Sequence, residues 1–281
     1  MSLKTEVIDR VPTYPGRVKL TPVGGQTNVY DMVRSDSPVT EGTPINKALF
    51  DQKAYTLTQS VTVYVATTGS DVTGDGSSTA PYATIQKAIN ELPKCLGGFH
   101  AQIDIAAGTY NERVTVDGFY GGRLTIGVSD RSVTVRGISV LSSDGVRINV
   151  SNITYSANYA GTLLYADYGS NVSVLSPLTL RGENAAVSAV GASRGGVITC
   201  AATVAILGCK AACVIANSGS RIVFNVLNGN TGNTSFGIQS ETGAVVTYST
   251  KGMVATSGDL SRSGGRILTD GGDSLNPASV G

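Results

Sequence analysis

The sequence has no tryptophan, one histidine (His100) and only 15% charged residues in a chain of 281. Its four cysteines, Cys95, Cys200, Cys209 and Cys213, include no C-x-x-C pair, so with one histidine no Cys/His zinc site is expected. Neither a metal nor a cofactor is called for by any motif. Lysine plus arginine total 21 against 20 acidic residues, a net charge of +1, which excludes polyanion binding as the main function. Nucleic acid and anionic bilayers are therefore not expected partners. No window approaches the roughly eighteen consecutive apolar residues of a membrane span, and MSLKTEVIDRVPTYPG lacks the apolar run of a signal peptide. Neither membrane insertion nor export by that route is expected. What is present in excess is glycine, 35 residues, alongside 41% hydrophobic content and a mean hydropathy of +0.09. This composition predicts a globular, turn-dense, all-β protein.

Organisation changes near residue 60. Five of the nine prolines (Pro12, Pro15, Pro22, Pro38 and Pro44) and thirteen charged side chains fall within residues 1–60. Thr43-Pro44 reads as an N-cap followed by proline at the first helical position, predicting a short helix near 44–54. The rest of this leader is extended and proline-punctuated, with too little periodicity to build a core, so it is expected to need a partner. Residues 61–281 form the second domain. It opens on the alternating strand V-T-V-Y-V from Val61, a turn-rich loop, and an amphipathic helix over Thr84 to Leu92 with Ile85, Ala88, Ile89 and Leu92 on one face. Pro93 stops that helix, and no further helical pattern follows Gly98.

An internal repeat decides the architecture. A glycine followed by an alternating strand recurs at Gly122, Gly145, Gly169, Gly195, Gly219, Gly243 and Gly265, with spacings of 23, 24, 26, 24, 24 and 22. A second strand trails in several units (Val133-Thr134-Val135, Leu178-Thr179-Leu180, Val204-Ala205-Ile206), and a third precedes the anchors (Leu163-Leu164-Tyr165, Cys213-Val214-Ile215). Three strands and three turns in about 24 residues are one coil of a single-stranded parallel β-helix. Leucine-rich repeats would need a signature that is missing, and a sandwich would not keep so even a period. Val, Ile and Leu point inward, and glycine corners with positive φ. The helix at 84–92 is expected to cover the open strand edges of the first coil. Residues 158–250 hold only seven charged side chains, Asp167, Arg181, Glu183, Arg194, Lys210, Arg221 and Glu241, which predicts faces buried against copies of the same chain around a symmetry axis.

Two stretches carry a resemblance. YVATTGSDVTGDGSSTAPYATIQKAINELP with IDIAAGTYNERVTV, residues 61 to 116, resembles the entry coils of the pectate-lyase-like superfamily, which implies a right-handed β-helix and leaves the chemistry open. GRVKLTPVGGQTNVYDMVRSDSPVTEGTPINKALFD, residues 16 to 51, is similar to the N-terminal segment of tail-associated proteins of phages and prophages of Gram-positive bacteria. The resemblance implies an attachment leader, residues 1–60, that meets other tail or baseplate proteins. Behind it would stand a homotrimeric tail-fibre or tailspike domain, located in the virion tail, that contacts host cell-surface polysaccharide. A polysaccharide-degrading tailspike with an inter-subunit site, or a non-binding baseplate or spacer protein, are the alternatives.

The residues themselves offer little chemistry. The Q-D-T, D-F-x-F-G and G-R-P-W strings that the resemblance would demand of a pectin esterase do not occur after Val116, and Glu112 in G-T-Y-N-E is expected to hold the first coils together. Asp167 and Glu241 share a face three coils apart, about 14 Å at the stacking spacing, too far for the two carboxylates of a glycosidase. Asp144 and Asp167 lie on adjacent coils, but in turns where aspartate commonly accepts from backbone amides. Asp71-x-Thr73-x-Asp75-Gly76 looks like the start of a calcium loop, yet its twelfth position is Tyr82, so a turn is expected. His100 is expected to be a hydrogen-bonded structural residue, and Cys200, Cys209 and Cys213 buried thiols. No catalytic residue is assigned. The strongest binding candidate is the tyrosine cluster Tyr155, Tyr159, Tyr165 and Tyr168 with Asn158 and Asp167, because sugar sites pair aromatic faces with short amides and carboxylates. The bland reading has these tyrosines packing the loop or a subunit contact.

Overall fold

The computed structural model describes residues 11–12, 18–22, 24, 30–34, 38–40, 56–159, 161–229, 236–252, 258–269 and 272–273. The helix expected near 44–54 lies outside them. Two units are distinct, Met1–Ala54 and Tyr55–Gly281. In the first, Val18–Pro22 pairs antiparallel with Tyr30–Arg34, and Val11–Pro12 with Pro38–Thr40. Lys19, Leu20 and Thr21 are all exposed, so both faces of the strand Val18–Pro22 meet solvent.

The second unit is an all-β parallel solenoid of about seven turns, with coils of about 24 residues and little helix. Each coil gives a strand to three faces. The first face stacks Val61–Val65, His100–Ile105, Arg123–Ile126, Val146–Ile148 and Asn171–Val174. It continues through the openings of Val197–Leu207, Arg221–Gly229 and Val245–Lys251 and then Arg266–Thr269. The second face begins with Gly108–Thr109, Val133–Val135, Asn152–Thr154 and Leu178–Arg181, and the three longer strands bend onto it. The third face holds seven parallel strands from Arg113–Asp117 to Leu260–Arg262.

Register makes the core. Because side chains alternate and the strands pair in phase, like positions stack into rows: Ala101, Leu124, Val146, Val172, Ile198, Ile222, Val246 and Ile267 run down the first face. All of these are buried. Cys200 occupies the neighbouring row between Val174 and Phe224, a buried thiol as expected, and burial pushes its pKa up to about 12. Cys209 and Cys213 are likewise buried, each pushed to about 12 by the same cause.

One corner, from the third face back to the first, has a repeated geometry that the sequence did not announce. Tyr168-Gly169, Arg194-Gly195, Ser218-Gly219, Thr242-Gly243 and Ser263-Gly264 each place two consecutive residues at positive φ. In each, the next N–H donates to the carbonyl two residues before the glycine, for example Gly196 to Ser193 at 2.8 Å and Ala244 to Glu241 at 3.0 Å. These are type I′ turns, otherwise found in hairpins. Stacked turns are also joined: the N–H of Gly195 reaches Ser218 O at 3.1 Å and that of Gly219 reaches Thr242 O at 3.0 Å. Two of the expected anchors shift by one. The positive φ belongs to Gly121 and Gly264, whereas Gly122 and Gly265 are needed because a Cβ would strike Leu96 and the Ser240 carbonyl.

The helix is Ile85–Glu91, packed on the strands Val61–Val65, His100–Ile105 and Arg113–Asp117, with Ile85, Ala88 and Ile89 fully buried. Thr84 is its N-cap, accepting from Lys87 N at 3.1 Å. At the other end of the chain, Gly272–Asp273 pairs antiparallel with Arg266–Thr269 and occupies the edge of that last parallel strand.

Candidate functional site

The six residues singled out from sequence divide into two groups. Tyr155, Asn158 and Tyr159 belong to the loop between the strands Asn152–Thr154 and Leu164–Asp167, where Ala157–Tyr159 forms a 3₁₀ turn. Tyr155 packs against the core and its N–H donates to Arg181 O at 2.8 Å, whereas Asn158 is exposed. Tyr165, Asp167 and Tyr168 gather at the far end of the strand Leu164–Asp167, at the corner of stacked turns. Among the described residues no hydrogen bond or ring contact joins the two groups.

At the corner, Asp167 is the organiser. Its side chain is 2% exposed, one oxygen accepts from Tyr168 N at 2.9 Å, and the other receives the Tyr165 hydroxyl at 3.2 Å and the Arg194 guanidinium. A buried carboxylate needs such compensation, and three donors supply it. The Tyr165 phenol is raised from its ordinary pKa, first by burial and then by the Asp167 charge. Its ring lies over Gly191, where a Cβ would come within 3.0 Å of Cδ2, so glycine opposite the tyrosine is a close-approach requirement. Arg194 also spreads its guanidinium over the Tyr168 ring, 4.1 Å from the centroid. The tyrosine is thus held with one face covered while the ring remains 57% exposed. Sequence reasoning missed Arg194 because it lies one coil away, 26 residues after Tyr168; the repeat spacing was the signal that could have paired them.

The other candidates take structural places. Asp71 accepts from Ala83 N at 2.8 Å, Thr84 N at 3.0 Å and the Thr84 hydroxyl at 2.6 Å, and Asp75 accepts from Ser77 N at 2.9 Å, as turn residues do. Glu112 accepts from Ile85 N at 2.8 Å and Gln86 N at 2.9 Å, tying the helix to the first coils. Burial raises its pKa against the lowering effect of those two bonds. A recess of ≈ 250 Å³ beside Thr67, Thr84, Thr109 and Glu112 therefore has its one carboxylate already committed. His100 Nε2 is 2.8 Å from Thr125 Oγ1, the hydrogen-bonded role expected of it. Asp144 is exposed and accepts from Gly145 N, while Asp167 on the adjacent coil is buried. Glu241 accepts from Arg262 of the following coil. Among the described residues no cluster of His, Cys, Asp and Glu is arranged to hold a metal, and no helix is long and apolar enough to cross a membrane. No family model matches the chain, and no curated protein or solved structure matches it.

Proposed function

We propose that the chain is a tail-fibre or tailspike-type structural protein that attaches through its N-terminal residues and contacts host surface glycans through the solenoid. In this reading the coils wind right-handedly, the sense favoured by parallel strand crossovers. The helix Ile85–Glu91 closes the first end of the stack, and three copies associate along charge-poor faces. The observation that carries the reading is the corner at Tyr168: an exposed aromatic ring held by Arg194 on a rigid ladder of turns, the kind of prepared platform on which a sugar stacks. The hairpin Val18–Pro22/Tyr30–Arg34, with Leu20 and Tyr30 both more than half exposed, supports an attachment role for residues 1–60, since such a strand pair leaves apolar surface for a partner.

The test is retention of the purified protein on cell-wall glycans of Gram-positive hosts, with an assay for new reducing ends and released acetate. Retention without cleavage supports a receptor-binding fibre. Cleavage would make it a degrading tailspike, and absence of both a spacer.

A further inference from the structure

The exposed aromatics of the solenoid share one address. Among its described residues the exposed rings are Phe99, Tyr120 and Tyr168, 37%, 56% and 57% exposed, and all three lie at the corner where the third face turns into the first. The stacking order there can be followed bond by bond. Cys95 bridges to Tyr120, and Tyr120 N donates to Lys94 O at 3.0 Å. Asp144 N then donates to Phe119 O at 2.8 Å, and Asn171 N to Ser143 O at 2.9 Å. Tyr120, Asp144 and Tyr168 therefore occupy three successive coils, which separates the two tyrosines by two stacking intervals, about 10 Å.

The Tyr168 ring is held before any ligand arrives, stacked against Arg194, and Tyr120 is held through its backbone pairing to Lys94 and Cys95. The coil between theirs carries Asp144, exposed, with one carboxylate oxygen on Gly145 N at 2.8 Å. The flanking positions are small: Gly121, Ser142, Gly145 and Gly169. Aromatic rings separated by polar and glycine positions do not make the contiguous close-packed patch of a protein interface. They suit a ligand that presents an apolar ring face at intervals and hydroxyls between, and two intervals correspond to about two pyranose units of an extended chain.

We infer that this corner is the glycan-binding ridge, with Tyr120 and Tyr168 as platforms and Asp144 as hydroxyl acceptor, and that its ligand is a linear oligosaccharide lying parallel to the solenoid axis. The charge at this corner is mixed: Arg194 is paired with Asp167, while exposed Arg123 lies beside Gly145, next in sequence to Asp144. The inference rests on the host-glycan reading and places its site at the corner, away from the Tyr155–Tyr159 loop.

The test is a glycan array of linear neutral di-, tetra- and hexasaccharides, with uronate and polyol-phosphate chains alongside. It is probed with the full-length protein and with Tyr120→Ala, Tyr168→Ala, Asp144→Asn and Tyr155→Ala/Tyr159→Ala variants. Thermal midpoints check folding, which truncation of two exposed rings should leave in place. The native protein is expected to prefer tetra- and hexasaccharides over disaccharides, and either corner tyrosine variant to weaken binding about tenfold. Asp144→Asn, which keeps one acceptor oxygen, should weaken binding less than either tyrosine variant. Glycan binding that survives both corner variants, or that disappears only with the Tyr155/Tyr159 change, overturns this site and leaves the host-glycan reading standing. Failure of the native protein to bind any chain on the array overturns that reading as well.

Discussion

At single residues, the corner ladder stores conformational strain that can be released. Type I′ turns favour Asn-Gly, because asparagine tolerates the left-handed region at both centre and edge of a turn. Here the first centre is Ser218 at φ 51 and Thr242 at φ 52, each exposed and each contributing only its backbone to the ladder. Ser218→Asn is expected to raise stability by about 0.5 kcal/mol, and Thr242→Asn by up to about 1 kcal/mol because a β-branched residue is worse placed there. Urea midpoints for the two variants check the order; a loss at Thr242→Asn would mean these turns are not strained. His100 gives a pH-dependent counterpart. Its imidazole is lowered from its ordinary pKa by burial, then by the charges of Arg123 and Arg147. The unfolded chain therefore takes up the proton first as pH falls, so this contribution is present in full above the unfolded value of about 6.5 and is lost below it. With a single histidine in the chain, the loss of stability between about pH 7.5 and 5.5 should flatten in His100→Gln, read as denaturation midpoints across that range.

At the level of elements, the helix Ile85–Glu91 is only seven residues long and cannot persist on propensity alone. It is held from both sides: Ile85, Ala88 and Ile89 insert into the core, while Asp71, Thr84 and Glu112 take up the amides of residues 83 to 87. Glu112→Ala would leave two buried-end amides without acceptors and is expected to lower stability by about 2 kcal/mol. Glu112→Gln, which keeps one acceptor oxygen, should lose about half as much. Near-equal thermal midpoints for Glu112→Ala and the native chain would mean that packing alone seats the helix. The apolar stripe was legible in sequence because it depends on neighbours three and four residues apart, whereas Thr84, read as the first helical residue, is the N-cap. Glu112 was read as a residue that holds the first coils together, but its partners, 26 and 27 residues earlier, were not. The same distance in sequence hid Arg194 from Tyr168 and Cys95 from Tyr120. Composition could not reveal the turns either, since a tyrosine, an arginine and three hydroxyl residues, Tyr168, Arg194, Ser218, Thr242 and Ser263, share one backbone conformation.

For the whole molecule, the period of the glycines and the alternation of Val, Ile and Leu were enough to read the solenoid, because a coil repeats one local rule and its stacking follows from register. What the repeat does not specify is which faces stay wet. Outward positions of the first face include Val197, Val223, Val245 and Leu268, partly buried and in successive coils, with Thr199 and Thr247 in one row and the exposed Arg221 and Arg266 in the other. Its valines and Leu268 are apolar surface of the kind that self-association along a symmetry axis would cover. If three copies associate as proposed, the particle mass in solution should be about 86 kDa, three times 28.8 kDa. Two further readouts separate a specific trimer from loose aggregation. The unfolding midpoint should rise with protein concentration, since association draws the equilibrium toward the folded state. The mass should change little between low and high salt, because an interface of apolar side chains has little for ions to screen. Sedimentation velocity at several concentrations and two ionic strengths measures both. A monomer of 28.8 kDa at micromolar concentration would overturn the proposed trimer.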